Sequence, residues 1–266
     1  THDIGTDSEY ESIINVDTTF IDEFGSDTEV DFNYKLPLND KSKLEFGYDG
    51  RFTKSDETMK LDLSGDSWEF SATNDFNYNR SIHGFFAEYE YQLNEKFSIK
   101  PSLRVEFVDK EINFIIEDST STGTSSSTYV QYLRGSDFES ISISELNYFP
   151  AFHLTYNITD KKNIQFGLSR RIERPSGAGH HWGQLRPFPR SVYNDSFVFI
   201  GNPFLKPELS YHYEISFKSP MPMGFYYVNL YQRDVKDPIE WNTEGENEEE
   251  GSSGSIITFT NAESAI

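Results

Sequence analysis

The chain has 266 residues, 16% of them aromatic (Phe 23, Tyr 16, Trp 3), yet its mean hydropathy is -0.62. Large apolar side chains must therefore be finely interleaved with polar ones, and no window approaches the ~18 consecutive apolar residues of a helical membrane span. A net charge of -21 argues against a nucleic-acid partner, whose phosphates need a basic surface, and the lack of cysteine removes disulfide and thiolate chemistry.

Thr1 is followed by no basic, apolar and small-residue leader pattern, so a mature form or a fragment of a longer chain is expected, and we read a fragment. A weak strand is expected from Tyr10 to Phe20. The first clear alternation places Val30, Phe32, Tyr34, Leu36 and Leu38 on one face, with Asp31, Asn33 and Lys35 on the other. Leu44, Phe46, Tyr48 and Phe52 then oppose Glu45, Asp49 and Arg51, with Gly47 and Gly50 as thin places in the wall. Phe85, Ala87, Tyr89, Tyr91 and Leu93 follow, and then Phe97, Ile99, Leu103, Val105 and Phe107. Pro101 interrupts this last run and should cost a ladder bond or force a bulge.

Later runs are Phe152 to Ile158, Ile164 to Leu168, Leu209 to Phe217, and Tyr226 to Leu230. No apolar-face position in these eight segments is charged, as lipid contact would enforce: an Arg or Lys at the bilayer midplane costs roughly 2–4 kcal/mol. A further weak strand is expected from Ile256 to Asn261, for about ten strands in all. A soluble β-sandwich would show the same uncharged face; taken with the connections, the expected fold is an all-β, antiparallel transmembrane β-barrel whose greasy side chains point outward around a wet interior.

The connections alternate in length. Asn39 to Ser42, Asn94 to Lys96, Thr159 to Asn163 and Ser219 to Gly224 are compact turns. Thr53 to Gly84, Val108 to Ala151, Glu173 to Glu208 and Asn242 to Ser255 are long, in part because strands extend beyond the membrane. Compact soluble domains rarely tolerate loops beyond about 12–15 residues, whereas outer-membrane barrels put short turns on the periplasmic side and long loops outside. Ser119 to Thr128 and Glu244 to Ser255 are polar, low-complexity stretches within those loops.

From Ile164 the chain reads "IQFGLSRRIERP", then "LRPF", then "GNPFLKPELSYHYEISF" to Phe217. With "HGFFAEYEYQL" from His83, "LRVEF" from Leu103 and "YFPAFHLTYNI" from Tyr148, this order resembles the late, C-terminal part of the barrel of TonB-dependent outer-membrane receptors, of the type common in Bacteroidota. The resemblance runs from Thr28 to Trp241 and is most specific from Ser169 to Glu208. It implies a larger barrel of about twenty-two strands, import of a scarce nutrient (siderophore, glycan, peptide or metal chelate), contact with outer-membrane lipids, and energy from TonB acting on an amino-terminal plug. Neither plug nor TonB-contact segment is found before Thr1. A surface lipoprotein is a further partner compatible with the family. The rival reading is a barrel without transport, acting as a scaffold, adhesin or subunit of a larger complex.

Gly201, Asn202 and Pro203 form a turn signal, and Pro207 fixes the backbone before the strand near Leu209. Arg171 and Glu214 fall on the polar faces of adjacent strands, so a lumen-side network including both is expected. His180, His181, Trp182, Arg186, Tyr193, Asn194 and Asp195 are the candidates for touching a ligand from the outer loops. The adjacent histidines lack the converging set a structural zinc requires, and the Glu246, Glu248, Glu249 and Glu250 run lacks the shaped oxygen cage of a calcium loop. His83, His153 and His212 form no spacing that singles out a catalytic triad. No cofactor is expected.

Overall fold

A computed structural model describes residues 15–65, 68–122, 140–175, 183–187, 197–244 and 255–262. Eight long strands form one antiparallel meander: β1 (Asn15–Asn39), β2 (Ser42–Gly65), β3 (Trp68–Gln92), β4 (Phe97–Thr122), β5 (Ile141–Thr159), β6 (Lys162–Glu173), β8 (Glu208–Met221) and β9 (Gly224–Lys236). Each contains one of the eight clear alternating segments. The short β7 (Phe197–Phe199), β10 (Ile239–Glu244) and β11 (Ser255–Asn261) form a separate three-stranded sheet in which β11 pairs with β7 in parallel. The expected strand at Ile256 therefore exists, but it belongs to this small sheet and not to the wall. The weak strand ending at Phe20 is, from Asn15 on, continuous with β1.

All four compact turns lie at one end of the wall. Asn39 Oδ1 accepts the amide of Lys41, and Asn94 Oδ1 accepts those of Lys96 and Phe97, which closes two of them. Gly224 closes the fourth with φ 146, a backbone conformation that a side chain disfavours. The β3–β4 ladder lapses between Glu88↔Ser102 and Tyr91↔Ile99 without a change of register, so Pro101 costs ladder contact and produces no bulge. The thin places are filled by neighbouring aromatics: the Phe86 ring covers Gly47, and that of Tyr48 covers Gly50.

Near the turns, one face of the wall is apolar and exposed. Phe32 is 56% exposed, Phe46 38%, Phe85 51% and Leu103 47%, while Glu45 and Arg104 on the opposite face are drawn into contacts with their neighbours. The greasy side chains thus point away from the polar inner face, as a lipid belt requires.

Farther from the turns the polarity inverts. The wall runs on as strand through nearly all of the first expected long loop and both flanks of the second: β2 reaches Gly65 and β3 resumes at Trp68, while β4 runs to Thr122 and β5 begins at Ile141. Here the inner positions are Met59, Leu61 and Leu63 of β2, Phe70, Ala72, Phe76 and Tyr78 of β3, and Ile112 and Phe114 of β4, all nearly inaccessible. The register puts Met59 opposite Asn74, Leu61 opposite Ala72 and Phe76 opposite Phe114, so these residues share one face. Their outward neighbours Lys60, Asp62, Thr73, Asp75 and Asn77 are polar. Leu185, Ile200, Leu205 and Phe259 pack onto that inner face and complete the core. Each large side chain buried there contributes about 1.5–3 kcal/mol.

Candidate functional site

The inner face carries a charged layer at the level of the lipid belt and, beyond it, a largely apolar layer covered by a folded cap. In the lower layer, carboxylates and guanidinium groups alternate across strands. Arg51 Nε donates to Asp49 at 3.1 Å and lies 3.8 Å from Glu29, while Arg104 reaches Asp49 at 3.5 Å and Glu106 at 2.6 Å. Arg174, at the end of "RRIERP", also pairs with Glu106, whose carboxylate is almost completely buried. Charge-assisted bonds of this kind fix side-chain positions as well as adding energy.

The cap consists of the small sheet with residues 183–187 and 200–207. Gly201 is required at its centre, because a Cβ there would meet the Arg186 and Gly183 carbonyl oxygens at 2.4 Å. That close approach lets the Gly201 amide donate to Arg186 O at 2.7 Å and the Asn202 amide to Gln184 O at 2.6 Å. The Asn202 side chain donates to Phe259 O and accepts the Phe204 amide. Asn261 donates to the carbonyls of Lys206 and Asp237 and accepts the Lys206 amide. Phe199, Trp241 and Phe259 stack edge and face along the small sheet. The cap is anchored to the wall by Arg186, which pairs with Glu57 of β2 where both side chains are buried. The expected turn at Gly201 to Pro203 is thus the hub of the cap.

Between cap and wall lies a cavity of about 240 Å³, lined by Tyr78, Arg80, Lys110, Glu145, Arg174 and Lys206 together with apolar side chains that include Val108, Ile143, Leu185 and Leu205. Arg80 and Lys110 face each other directly across the β3–β4 ladder. Arg80 donates to Thr53 Oγ1 at 3.2 Å, its guanidinium carbon is 5.9 Å from the centre of the Tyr78 ring, and its Nε is buried with no hydrogen-bond partner among the described residues. Burial lowers the Lys110 ammonium from its ordinary value; the Glu145 carboxylate opposes that shift, while Arg80 and Arg174 add to it. Burial raises the Tyr78 phenol, which keeps it neutral and able to donate.

The site residues expected from sequence fall into three groups. Arg186 is in the cap, paired with Glu57. Arg171 and Glu214 share the inner face of adjacent strands, but Arg171 lies opposite Ser210 and Glu214 opposite Gly167, on different rungs of the ladder. His180, His181, Trp182, Tyr193, Asn194 and Asp195 lie outside the described residues. The three histidines weighed for catalysis are dispersed: His83 bonds the Tyr48 hydroxyl on the outer face, while His153 and His212 are on β5 and β8, with β6 between them. Sequence reading did not single out Glu57, Glu106, Arg174 or the Arg80–Lys110 pair. Their only signal is cross-strand register, which one sequence does not display.

Arg170 occupies the outward face one step beyond Leu168. Its guanidinium lies 4.8 Å over the Tyr148 ring and donates to Tyr148 O at 3.0 Å, beside the point where β5–β6 pairing ends at Ala151↔Ser169. It bridges a seam that the ladder leaves open.

The model of the outer membrane protein beta-barrel family matches residues 5–265. No curated protein sequence matches the chain. Among solved structures, the Serratia marcescens hemophore receptor HasR, in complex with its hemophore HasA and heme, is 12% identical with a TM-score of 0.46, over 92% of this chain and 44% of that one. The Pseudomonas aeruginosa siderophore receptor PirA is 12% identical with a TM-score of 0.38, over 96% and 56% respectively. The E. coli ferric-catecholate import receptor Fiu is 10% identical with a TM-score of 0.40, over 94% and 44%. The chain thus spans about half the length of these solved structures.

Proposed function

Since this chain belongs to the outer membrane protein beta-barrel family, we propose that it supplies part of the wall and of the capture surface of a receptor that imports a scarce solute across the bacterial outer membrane. The observation that carries this reading is the pairing of an outward lipid belt with a charged inner face and a folded cap over the same face.

In this reading further strands of a larger barrel continue the sheet from the edges β1 and β9, and a plug domain coupled to TonB blocks the lumen. Arg186 anchors the cap through Glu57, the proposed solute contacts are His180, His181, Trp182, Tyr193, Asn194 and Asp195, and a surface lipoprotein is a compatible partner. Arg171 and Glu214 contribute to the polar lining below. Siderophore, glycan, peptide and metal chelate are the candidate cargoes.

The test is uptake. Cells carrying the intact gene should accumulate one of these solutes, and lose that uptake when either this gene or tonB is deleted. Uptake unchanged by both deletions for every class would favour the scaffold, adhesin or complex-subunit reading.

A further inference from the structure

We propose that the cavity between cap and wall is an oxyanion site, in which Arg80, Lys110 and Arg174 hold a phosphate or carboxylate group carried on a partly apolar solute. The proposal rests on the receptor reading above and names the chemistry of its cargo.

The first support is an electrostatic imbalance. Like charges directly opposite on neighbouring strands are destabilising, yet Arg80 and Lys110 are so placed and Arg174 stands beside them. Among the described residues, the carboxylates within reach are fewer than the cations Arg80, Lys110, Arg174 and Lys206. Glu106 is already shared by Arg104 and Arg174, which leaves Glu145 at the cavity and Asp27 near Tyr78. Lys206 adds a fourth positive charge to the lining. In a chain of net charge -21, such a concentration of positive charge runs against the composition.

The second support is geometry. The buried Nε of Arg80 has no partner among the described residues, and guanidinium donors match the paired oxygens of a carboxylate or phosphate. The neutral Tyr78 hydroxyl supplies a further donor. Val108, Ile143, Leu185 and Leu205 make the remaining walls apolar, which is the usual composition of a small-molecule site: a few convergent polar groups within a greasy enclosure. The inner face below the cavity carries the mixed-charge layer, so an anion released from it meets both signs of charge instead of a deeper trap.

The experiment is calorimetric titration of the full-length receptor in detergent with phenyl phosphate, inorganic phosphate and, as the neutral control, phenol. Phenyl phosphate should bind saturably, more tightly than inorganic phosphate, with phenol inert. Lys110→Met and Arg80→Met should each weaken phenyl phosphate about tenfold, the scale of one lost charge-assisted contact. Lys54→Met, on the outer face, should leave it unchanged. Equal binding by wild type and both variants overturns the proposal. Absence of saturable binding by the wild type also overturns it, including the case in which an acidic side chain from elsewhere in the protein already fills the cavity, and this outcome does not depend on the variants folding. Uptake is scored separately in cells: uptake without phenyl phosphate binding removes the oxyanion site alone, and binding without TonB-dependent uptake removes the receptor reading.

Discussion

The belt and the outward extension of the same strands solve opposite problems with one backbone. On β2, the even-numbered side chains from Leu44 to Phe52 face lipid, whereas Lys54, Asp56, Thr58, Lys60 and Asp62 continue that face in polar form. The odd-numbered face does the reverse, from Glu45, Asp49 and Arg51 to the buried Met59, Leu61 and Leu63. A strand that leaves the bilayer has water outside it and must find its apolar partner within; the cap provides that partner. The wall is thus a membrane structure over one part of its length and half of a soluble sandwich over the other.

Substitutions should separate the two regions by location and by sign. The largest effect is expected at Glu57→Ala, which removes the buried carboxylate facing Arg186 and should destabilise the capped region by about 3–5 kcal/mol; limited proteolysis should then cut the cap while the belt stays resistant. Leu103→Arg puts a cation into the belt and should cost roughly 2–4 kcal/mol in urea titrations of vesicle-folded protein. Asn202→Ala removes two hydrogen bonds within the cap and should cost about 1–3 kcal/mol, again with the belt unaffected. The smallest effect is expected for Asn77→Arg, outward-facing like Leu103 but beyond the belt, which should stay within about 0.5 kcal/mol. A comparable penalty for Asn77→Arg and Leu103→Arg would erase the distinction between the regions.

The belt was legible in sequence because lipid imposes a strict period of two on every strand that crosses it. All eight alternating runs and all four compact turns have their place in the wall. The extension was legible only in part. Met59, Leu61 and Leu63 alternate just as cleanly, but in the opposite phase to Leu44, Phe46 and Tyr48, and a stretch whose phase reverses looks like a connection when only one face is followed. The strand at Ile256 is legible in the sequence, but its alternation does not say which sheet it joins. The cap's anchoring was not readable at all: Glu57 and Arg186 are far apart in the chain, and only the fold brings them together. Arg171 and Glu214 show the same limit at shorter range, because parity gave their face while only register gives their rungs.

Because this chain contains no cysteine, the inversion can be read position by position with single-cysteine nitroxide labels along β2 in vesicles, comparing collisions with lipid-soluble oxygen and with a water-soluble nickel complex. Labels at Leu44, Phe46, Tyr48 and Phe52 should see mainly oxygen, labels at Asp56, Thr58, Lys60 and Asp62 mainly nickel, and labels at Met59, Leu61 and Leu63 little of either. Free access of nickel to Met59, Leu61 and Leu63, or oxygen contact continuing undiminished from Phe52 to Asp62, would contradict a wall that turns its apolar side inward where it leaves the membrane.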